Sequence, residues 1–599
     1  MFSRSLESRI GVLIALTLTV FFTVPVAQAQ SAWVSSATKA YPVQYLNGAT
    51  LIGPLAPSTA LHVVVGLQEQ HADQVQPTLR RMITPGDPLY GTTLTVQQFV
   101  AQFGPSAAQV QAVQKYLSAN GFTNITVADN QLLVEADGTA AGVQSAFNTA
   151  LVQYSVNGAT VYLNTADAQV PASLAGTVIA VLGLNSIVSL HSDMHTLALN
   201  NSPTTDPCTP PSCPTPALAN ETFTAQQYQI AYDAACPSDH STCAAHNFTS
   251  GSATPVGIIA EGNLTQVVVD LRTYEKTYNL PQVPVTIVNA GIPSPDTSGA
   301  EEWDLDSQTS TGIAQQVSHL YFYVATSLTD SDIALAINKA VSQNKVKAFN
   351  MSFGECEFQA YIDGAMLVDD EVFGEAALHG ITPFASSADQ GSACPVVGTN
   401  GVPLSGPPDT SYPASSPYVI AVGGTNLFTN ADYTFDFETA WESGGGGPSY
   451  FENPPFWQAY TGSGTLPIVP SSEGSAAGTG RGVPDVSMCA GGTELAICAA
   501  NIFVSGTATL VGGTSLSSPL AMGSWARIQT SHKNKLGFAG PLIYQLANGG
   551  PSPSSPDFND VLLGGNGLFT ALPGYDYTTG LGSWDIYRIN KVIPSAYPQ

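Results

Sequence analysis

The stretch that decides the fold is Gly512-Gly513-Thr514-Ser515-Leu516-Ser517-Ser518-Pro519. Its two glycines free a turn for close backbone approach, and its proline fits the first turn of a following helix, where a missing N–H costs nothing. A hydroxyl at the N-terminus of a helix lies in a field that favours developing negative charge. Ser515 is therefore our candidate nucleophile.

Outward from this stretch, apolar segments that fit strands alternate with amphipathic segments from about residue 223 onward. The strand-like segments are Val256–Ala260, Val285–Ala290, Leu320–Ala325, Val346–Ser352, Ile381–Ala385 and Tyr418–Val422. Helical segments such as Asp332–Gln343 and Met366–His379 lie between them. The pattern predicts an α/β fold with a mostly parallel sheet covered by helices on both faces. Ligand sites in such sheets lie beyond the carboxyl ends of the strands.

Residues from about 55 to 185 form a second, smaller pattern. A strand at Leu61–Leu67 precedes a helix capped by Ser106, two short strands (Ile125–Ala128 and Gln131–Glu135) and a helix at about Thr139–Leu151. A last extended segment includes Ala159 to Leu163. The order β-α-β-β-α-β predicts a ferredoxin-like α+β domain.

The N-terminus has the composition of a secretory signal. Arg4 and Arg9 precede an apolar run from Ile10 to Val26, and Ala27-Gln28-Ala29 fits a cleavage site. We expect a signal peptide over 1–29, the α+β domain over 30–199, a Pro/Thr/Ser-rich linker over 200–217 and the main domain over 218–599. The protein is predicted to be exported, with no membrane attachment once the signal is removed.

The charge balance excludes one class of partner. The chain has 17 Lys and Arg against 44 Asp and Glu, a net charge of −27, so a nucleic-acid partner is not expected. Composition alone leaves adaptation to acid and ordinary acidity equally open. The 8 cysteines fit export, and the simplest pairing joins neighbours in sequence, although spacing cannot prove it. These neighbours are Cys208/Cys213, Cys236/Cys243, Cys356/Cys394 and Cys489/Cys498.

A serine nucleophile needs a base, and histidine is the usual one. The only His-Gly pair, His379-Gly380, has the form of a helix end. Carboxylates offer another base, in the cluster Ser298-Gly299-Ala300-Glu301-Glu302-Trp303-Asp304-Leu305-Asp306. Ser298 and Glu301 predict a capping box, which places Glu302 and Asp306 on one face of a helix. Such a pair can share a proton and serve as a base in acid, whereas a solvated acidic first turn is the plainer interpretation.

A third acidic residue follows a predicted strand. Asp389, in Ala385-Ser386-Ser387-Ala388-Asp389-Gln390-Gly391, either forms a turn or, when protonated, donates a hydrogen bond to an oxyanion.

Together these pieces resemble the sedolisin family of serine-carboxyl peptidases, including its ferredoxin-like propeptide. The resemblance implies that Ser515 is the nucleophile, Glu302 the general base, Asp306 its supporting acid and Asp389 the oxyanion residue. The family pattern is Ser-Gly-Asp where this chain has Ser387-Ala388-Asp389. It also implies that Ser352, Phe353 and Gly354 bind extended substrate.

The same resemblance implies one structural Ca²⁺ near the C-terminus. The side chains of Asp560 and Asp576 and the carbonyls of Val561, Leu572 and Gly574 would be its ligands.

We therefore expect an exported, acid-active endopeptidase, monomeric and made as a zymogen whose partners are its own propeptide and protein or peptide substrates. The sequence leaves open whether it acts as an endopeptidase or as a tripeptidyl-peptidase. We also expect acid to loosen the propeptide by protonating carboxylates at its interface. Two alternatives stay open: a subtilisin-like Ser-His-Asp hydrolase, favoured by a neutral pH optimum, and a catalytically silent binding protein, favoured by absence of cleavage at any pH.

Overall fold

The computed structural model describes residues 32–43, 46, 48–156, 158–187, 190–197, 222–237, 248–397, 403–459, 480–491, 498–547 and 557–593. The expected signal peptide, the whole of the expected linker, Cys208, Cys213 and Cys243 lie outside these ranges. Among the described helices, none combines the length and apolar composition needed to span a bilayer.

The N-terminal part contains one small domain and a trailing segment. Its helices and strands are β1 (Trp33–Ser35), β2 (Thr50–Pro54), β3 (Ala60–Leu67), α1 (Val75–Ile83), α2 (Val96–Gln102), α3 (Ala107–Ala119), β4 (Thr123–Val127), β5 (Leu133–Thr139), α4 (Ala140–Ala146), β6 (Leu151–Val156), β7 (Ala159–Asn164), β8 (Gln169–Pro171), β9 (Val178–Leu182), β10 (His191–Ser192) and β11 (His195–Leu197).

The ferredoxin-like arrangement is confirmed, with one strand reassigned. The sheet has the order β4-β5-β3-β9, all antiparallel. The prediction that Ala159–Leu163 supplies the last strand is wrong, because that segment pairs with β6 in a separate hairpin. The apolar strand β9 takes its place beside β3. The second helix is also shorter than expected, since Leu151 already begins β6.

The main domain follows. Its elements are β12 (Thr222–Phe223), α5 (Ala225–Ala231), β13 (Gly251–Glu261), α6 (Thr265–Thr277), β14 (Val285–Asn289), α7 (Ala300–Ile313), β15 (Val317–Ala325), α8 (Asp330–Gln343), β16 (Ala348–Met351), β17 (Phe353–Cys356), α9 (Glu357–Asp363), α10 (Ala365–His379), β18 (Thr382–Ser386), β19 (Ala393–Val397), β20 (Pro403–Pro408), β21 (Ser411–Tyr412), β22 (Ile420–Thr429), β23 (Phe435–Ala440), β24 (Gly447–Pro448), α11 (Phe456–Ala459), β25 (Gly482–Val483), β26 (Val486–Cys489), β27 (Ala499–Val504), β28 (Thr507–Gly512), α12 (Thr514–Ser531), α13 (Ala539–Ala547), β29 (Phe558–Asn559), β30 (Ser583–Trp584) and α14 (Ile586–Val592).

A mostly parallel sheet forms the centre of this domain, as predicted. Its strand order is β14-β15-β13-β16-β18-β22-β23, with β26 also on β22, and only β23 runs antiparallel. Helices α7 and α12 pack against each other beside this sheet. Gly523 makes that contact possible, because a Cβ there would lie 2.2 Å from the carbonyl oxygen of Ser310. The helices that carry the acidic cluster and the candidate nucleophile are thereby held together.

The small domain packs its sheet on α8 and α10 of the main domain. Val64 and Leu182 from the sheet share an apolar cluster with Leu335 and Val368 from the helices. At the edge of this contact, the backbone N–H of Glu69 donates to Glu371 Oε2 at 2.6 Å.

Glu69 and Glu371 are two interface carboxyls for which acid does not have the expected loosening effect. Burial raises the pKa of Glu371 to about 8, and burial together with the charge of Glu371 raises the pKa of Glu69. Carboxyls with raised pKa values stabilise the contact while protonated, and that contribution is lost as pH rises. This pair therefore favours the closed form in acid.

Two of the four expected cysteine pairs lie wholly within the described ranges. Cys356 is bonded to Cys394 and Cys489 to Cys498, as sequence neighbours were expected to pair. Asp409 lies near the first bridge, but a disulfide offers no thiolate to a metal.

Candidate active site

Ser515 lies in the first turn of α12. Gly513 precedes the helix with φ of 115°, a left-handed conformation that glycine adopts without strain. The proline expected in that first turn, Pro519, instead lies one turn further along. A proline has no N–H to bond the carbonyl four residues earlier. The free carbonyl oxygen of Ser515 lies 3.3 Å from Ser352 Oγ.

The hydroxyl of Ser515 has a carboxylate partner. Ser515 Oγ donates to Glu302 Oε2 at 3.0 Å and is 3.3 Å from the carbonyl oxygen of Ser352. Both Ser515 and Glu302 are buried. Within the described residues, no histidine is among the hydrogen-bond partners of this hydroxyl. His379 ends α10 as expected, bonded to Leu94 and Glu375.

Glu302 and Asp306 lie one turn apart on α7, and both are buried. The predicted capping box is wrong: the helix begins after Gly299 with no side-chain cap. Glu301 Oε1 instead accepts from Thr196 Oγ1 at 2.9 Å. The long-range contact replaces the local one, and the i, i+4 spacing of the two acids is unaffected.

Asp306 is held by a hydrogen-bond chain that no local sequence pattern indicates. Ser352 Oγ donates to Asp306 Oδ1 at 2.6 Å, and Asn350 Nδ2 donates to Ser352 Oγ at 2.8 Å. Ser518 Oγ in turn donates to Asn350 Oδ1 at 2.6 Å. The chain links the carboxyl on α7 to the helix of Ser515 through the end of β16.

The pKa values of Glu302 and Asp306 are both raised. Burial raises the pKa of Glu302 well above its ordinary value, and the charge of Asp306 raises it further. Burial also raises the pKa of Asp306, to about 7. Glu302 Oε1 and Asp306 Oδ2 have no hydrogen-bond partner among the described residues. A buried pair of carboxyls like this one can retain a proton to higher pH than ordinary carboxyls do.

Asp389 lies on the opposite side of the nucleophile. Its Oδ1 accepts from the backbone N–H of Thr514 at 2.8 Å and from Thr514 Oγ1 at 2.7 Å. Its Oδ2 is 2.9 Å from His195 Nε2. Ala388 has φ of 88°, in the left-handed region, so the alanine in Ser-Ala-Asp occupies a conformation that suits glycine.

The segment before residue 198 runs through the cleft between the two walls of the site. Strand β10 pairs antiparallel with β17, with Ser192 opposite Phe353 and His191 opposite Gly354. Strand β11 pairs antiparallel with β28, with His195 opposite Gly512. Two of the three expected substrate-binding residues thus pair with the chain's own segment.

Asp193 and Met194 lie between these two pairings, opposite Ser515. The backbone N–H of Ser515 is 3.3 Å from the Asp193 carbonyl oxygen. A Cβ on Gly513 would lie 2.1 Å from that oxygen and 2.5 Å from Asp389 Oδ2, so only glycine leaves room for both. The hydroxyl of Ser192 also donates to Glu302 Oε2.

The two acidic residues among the expected calcium ligands both bind the backbone of the loop 572–574. Asp560 Oδ2 accepts from the N–H of Gly574 at 3.0 Å, and Asp576 Oδ2 accepts from the N–H of Leu572 at 2.9 Å. Burial raises the pKa of Asp560, with a further contribution from the charge of Asp576. No salt bridge to either acid occurs among the described residues. Two carboxyls on one loop offer oxygen atoms of the kind that a hard cation binds.

A parallel α/β sheet with a serine at a helix N-terminus and a carboxylate beside its hydroxyl defines a serine-type peptidase. Residues 47–187 match the pro-kumamolisin activation domain, and residues 286–541 match the subtilase family. Sedolisin of Pseudomonas sp. (strain 101) is 35% identical over 602 residues, covering 95% of this chain and 93% of that protein. Xanthomonalisin of Xanthomonas sp. (strain T-22) is 36% identical over 577 residues, covering 88% of this chain and 65% of that protein.

A solved structure agrees. Pseudomonas sedolisin, described as a serine-carboxyl proteinase complexed with two molecules of pseudo-iodotyrostatin, is similar with a TM-score of 0.54 and 32% identity over 62% of this chain and 98% of that one. The chain belongs to the sedolisin family of serine-carboxyl peptidases, and its N-terminal domain is the propeptide of a zymogen.

Proposed function

We propose that this protein is an exported endopeptidase, active in acid, in which Ser515 attacks the scissile carbonyl and Glu302 accepts its proton. The hydrogen bond of 3.0 Å between Ser515 Oγ and Glu302 Oε2 is the observation that carries this proposal. A carboxylate at this distance is within reach of the proton that it must remove.

The acid pair supplies both the base and the acid that the reaction needs. With one proton between them, Glu302 and Asp306 offer one basic oxygen and one acidic group, as paired carboxyls do in other acid-active enzymes. Glu302 takes the proton of Ser515 Oγ during attack and returns it to the leaving nitrogen. Ser352 and Asn350 position Asp306 so that the pair stays aligned.

Asp389 is the proposed oxyanion residue, together with the backbone N–H of Ser515. A carboxyl can donate a hydrogen bond to an oxyanion only while it is protonated, which requires acid. In the zymogen, Asp389 Oδ2 is 2.9 Å from His195 Nε2, and the pKa of His195 is raised by its hydrogen bond with Asp389. This contact engages the carboxyl oxygen that would otherwise donate to the oxyanion.

The cleft supports internal cleavage. The propeptide segment extends on both sides of Ser515, through β10 on one side and β11 on the other, and continues to Leu190, which is buried. A cleft that holds chain in both directions accepts internal peptide bonds. Ser352, Phe353 and Gly354 are the proposed wall for the residues that precede the cleaved bond.

We also propose that one Ca²⁺ is held by the side chains of Asp560 and Asp576 and the carbonyls of Val561, Leu572 and Gly574. The ion would neutralise two carboxyls and fix the C-terminal loop. Export follows from the predicted signal peptide over 1–29, and the domain limits 30–199, 200–217 and 218–599 are proposed from sequence.

The direct test is self-processing of the zymogen at about pH 4. Purified wild type, Ser515→Ala and an exposed control, Ser118→Ala, are shifted to acid and followed by gel and intact mass. We expect the wild type and the control to release the propeptide and Ser515→Ala to remain whole. Normal processing of Ser515→Ala would defeat the assignment.

A further inference from the structure

The propeptide segment 191–197 lies in the cleft as an extended strand with a defined register. The pairing of Ser192 with Phe353, and of His191 with Gly354, puts Asp193 next in line beside Ser352. The pairing of His195 with Gly512 fixes the other end of the segment. Only Asp193 and Met194 separate the two pairings, so the peptide bond between them lies opposite Ser515.

The carbonyl of Asp193 occupies the place where an oxyanion would form. It accepts from the Ser515 N–H at 3.3 Å, and it shares the space above Gly513 with Asp389 Oδ2. A scissile carbonyl must lie between the nucleophile and such donors. No other bond of the segment is placed in this way, because its neighbours are engaged in strand pairing.

The side chain of Asp193 fills a buried pocket. Its Oδ2 accepts from Ser386 Oγ at 2.8 Å, and the residue is 1% exposed. The charged groups that face it are His191, with Nε2 at 3.8 Å, His195 and Asp389, and Glu302 lies within electrostatic range. Burial raises the pKa of Asp193 to about 6, so the pocket accepts the neutral acid most readily.

We propose that Asp193–Met194 is the first peptide bond that this protein cleaves in its own chain, and that the pocket around Ser386 accepts a small neutral side chain with a hydrogen-bond acceptor. This proposal rests on the proposed function, because it uses Ser515 as the nucleophile.

The step is an ordinary acyl transfer. Ser515 Oγ bonds to the Asp193 carbonyl carbon as its proton passes to Glu302. The bond to the Met194 nitrogen then breaks as that nitrogen takes the proton and leaves as an amine. Water, losing a proton to Glu302, adds to the ester, and the ester oxygen takes the proton back as the Asp193 carboxyl is released.

Two contacts account for the intact bond in the zymogen. Ser192 Oγ donates to the same Glu302 oxygen as Ser515 Oγ and so competes for the base. His195 occupies the Asp389 oxygen that would otherwise face the Asp193 carbonyl.

The test maps the earliest new chain end after a shift to pH 4. Wild type, Asp193→Asn, Asp193→Lys and a control in the same domain, Asp73→Lys at an exposed position, are quenched over seconds to minutes and analysed by intact mass. We expect a first fragment beginning at Met194 in the wild type, the control and Asp193→Asn, at a rate independent of zymogen concentration. In Asp193→Lys we expect at least a 100-fold slower cut at this bond.

The outcomes separate this proposal from the function on which it rests. If Ser515→Ala stays whole while the wild type cuts first at another bond, the function stands and this proposal is wrong. If Asp193→Lys cuts between residues 193 and 194 as fast as the wild type, the pocket assignment is wrong. Because the longer side chain in Asp193→Lys could displace the whole segment, a second measurement uses a peptide with the sequence of 191–197 and the processed enzyme. Cleavage after its aspartate is expected, and cleavage elsewhere contradicts the proposal.

Discussion

Replacing Asp306 with Asn removes one member of the buried acid pair and keeps an oxygen for Ser352. That oxygen matters because Ser352 Oγ donates to Asp306 Oδ1 at 2.6 Å. The pKa of Asp306 is raised from 3.8 to about 7, chiefly by burial. A carboxyl with a raised pKa does not lower the free energy of unfolding while it is protonated in both the folded and the unfolded state. As pH rises, it destabilises the folded state.

The size of the effect follows from these two pKa values. Linkage gives a cost to the wild type of less than about 1 kcal/mol at pH 4 and on the order of 4 kcal/mol at pH 7.5. Asparagine does not titrate, so this loss of stability is absent from the variant. The advantage of Asp306→Asn in free energy of unfolding should therefore grow by about 3 kcal/mol between the two pH values.

The assay is urea unfolding at pH 4 and pH 7.5 in a Ser515→Ala background, where self-cleavage cannot interfere. Asp73→Asn, at an exposed position, is the matched control and should show no such change. A difference between Asp306→Asn and its parent that is equal at both pH values, or that shrinks as pH rises, would refute the buried-acid account.

Three further predictions concern other parts of the protein. His195→Gln should begin self-processing at higher pH than the wild type, because the ion pair with Asp389 Oδ2 no longer has to be broken; an unchanged pH threshold in the acid-shift assay would count against that role. Ala388→Gly should raise the free energy of unfolding by about 1 kcal/mol, since glycine adopts φ of 88° without a Cβ penalty; calorimetry that finds a loss of stability contradicts this. Saturating Ca²⁺, at about 100 times its Kd, should stabilise the wild type by about 2.7 kcal/mol, and Asp560→Asn should lose most of that gain; equal thermal shifts for both proteins would place the ion elsewhere.

Most strands of the main sheet could be predicted because they are short and largely apolar runs. Val285–Ala290 and Leu320–Ala325, for example, became β14 (Val285–Asn289) and β15 (Val317–Ala325). Local pattern cannot decide pairing, however. The extended segment at Ala159–Leu163 resembled a fourth ferredoxin strand, yet it pairs with β6 in a hairpin.

The site shows the same division between local and long-range information. The spacing of Glu302 and Asp306 follows from helical geometry, so their shared face was predictable. Ser298 and Glu301 fitted a local capping box, but Glu301 binds Thr196, more than a hundred residues earlier in the chain. The roles of Asp193 and His195 had no local signal at all, because they depend on where the segment lies in the folded cleft.

The most direct test of the central claim compares kcat/KM against pH for processed wild type and Glu302→Gln on one peptide substrate. Glutamine keeps the size of the side chain but cannot accept the proton of Ser515. The account predicts wild-type activity that declines as pH rises and the acid pair loses its last proton, and at least a 1,000-fold loss in Glu302→Gln at every pH. Activity of Glu302→Gln within about tenfold of the wild type would contradict it, because a carboxylate would then not be the base.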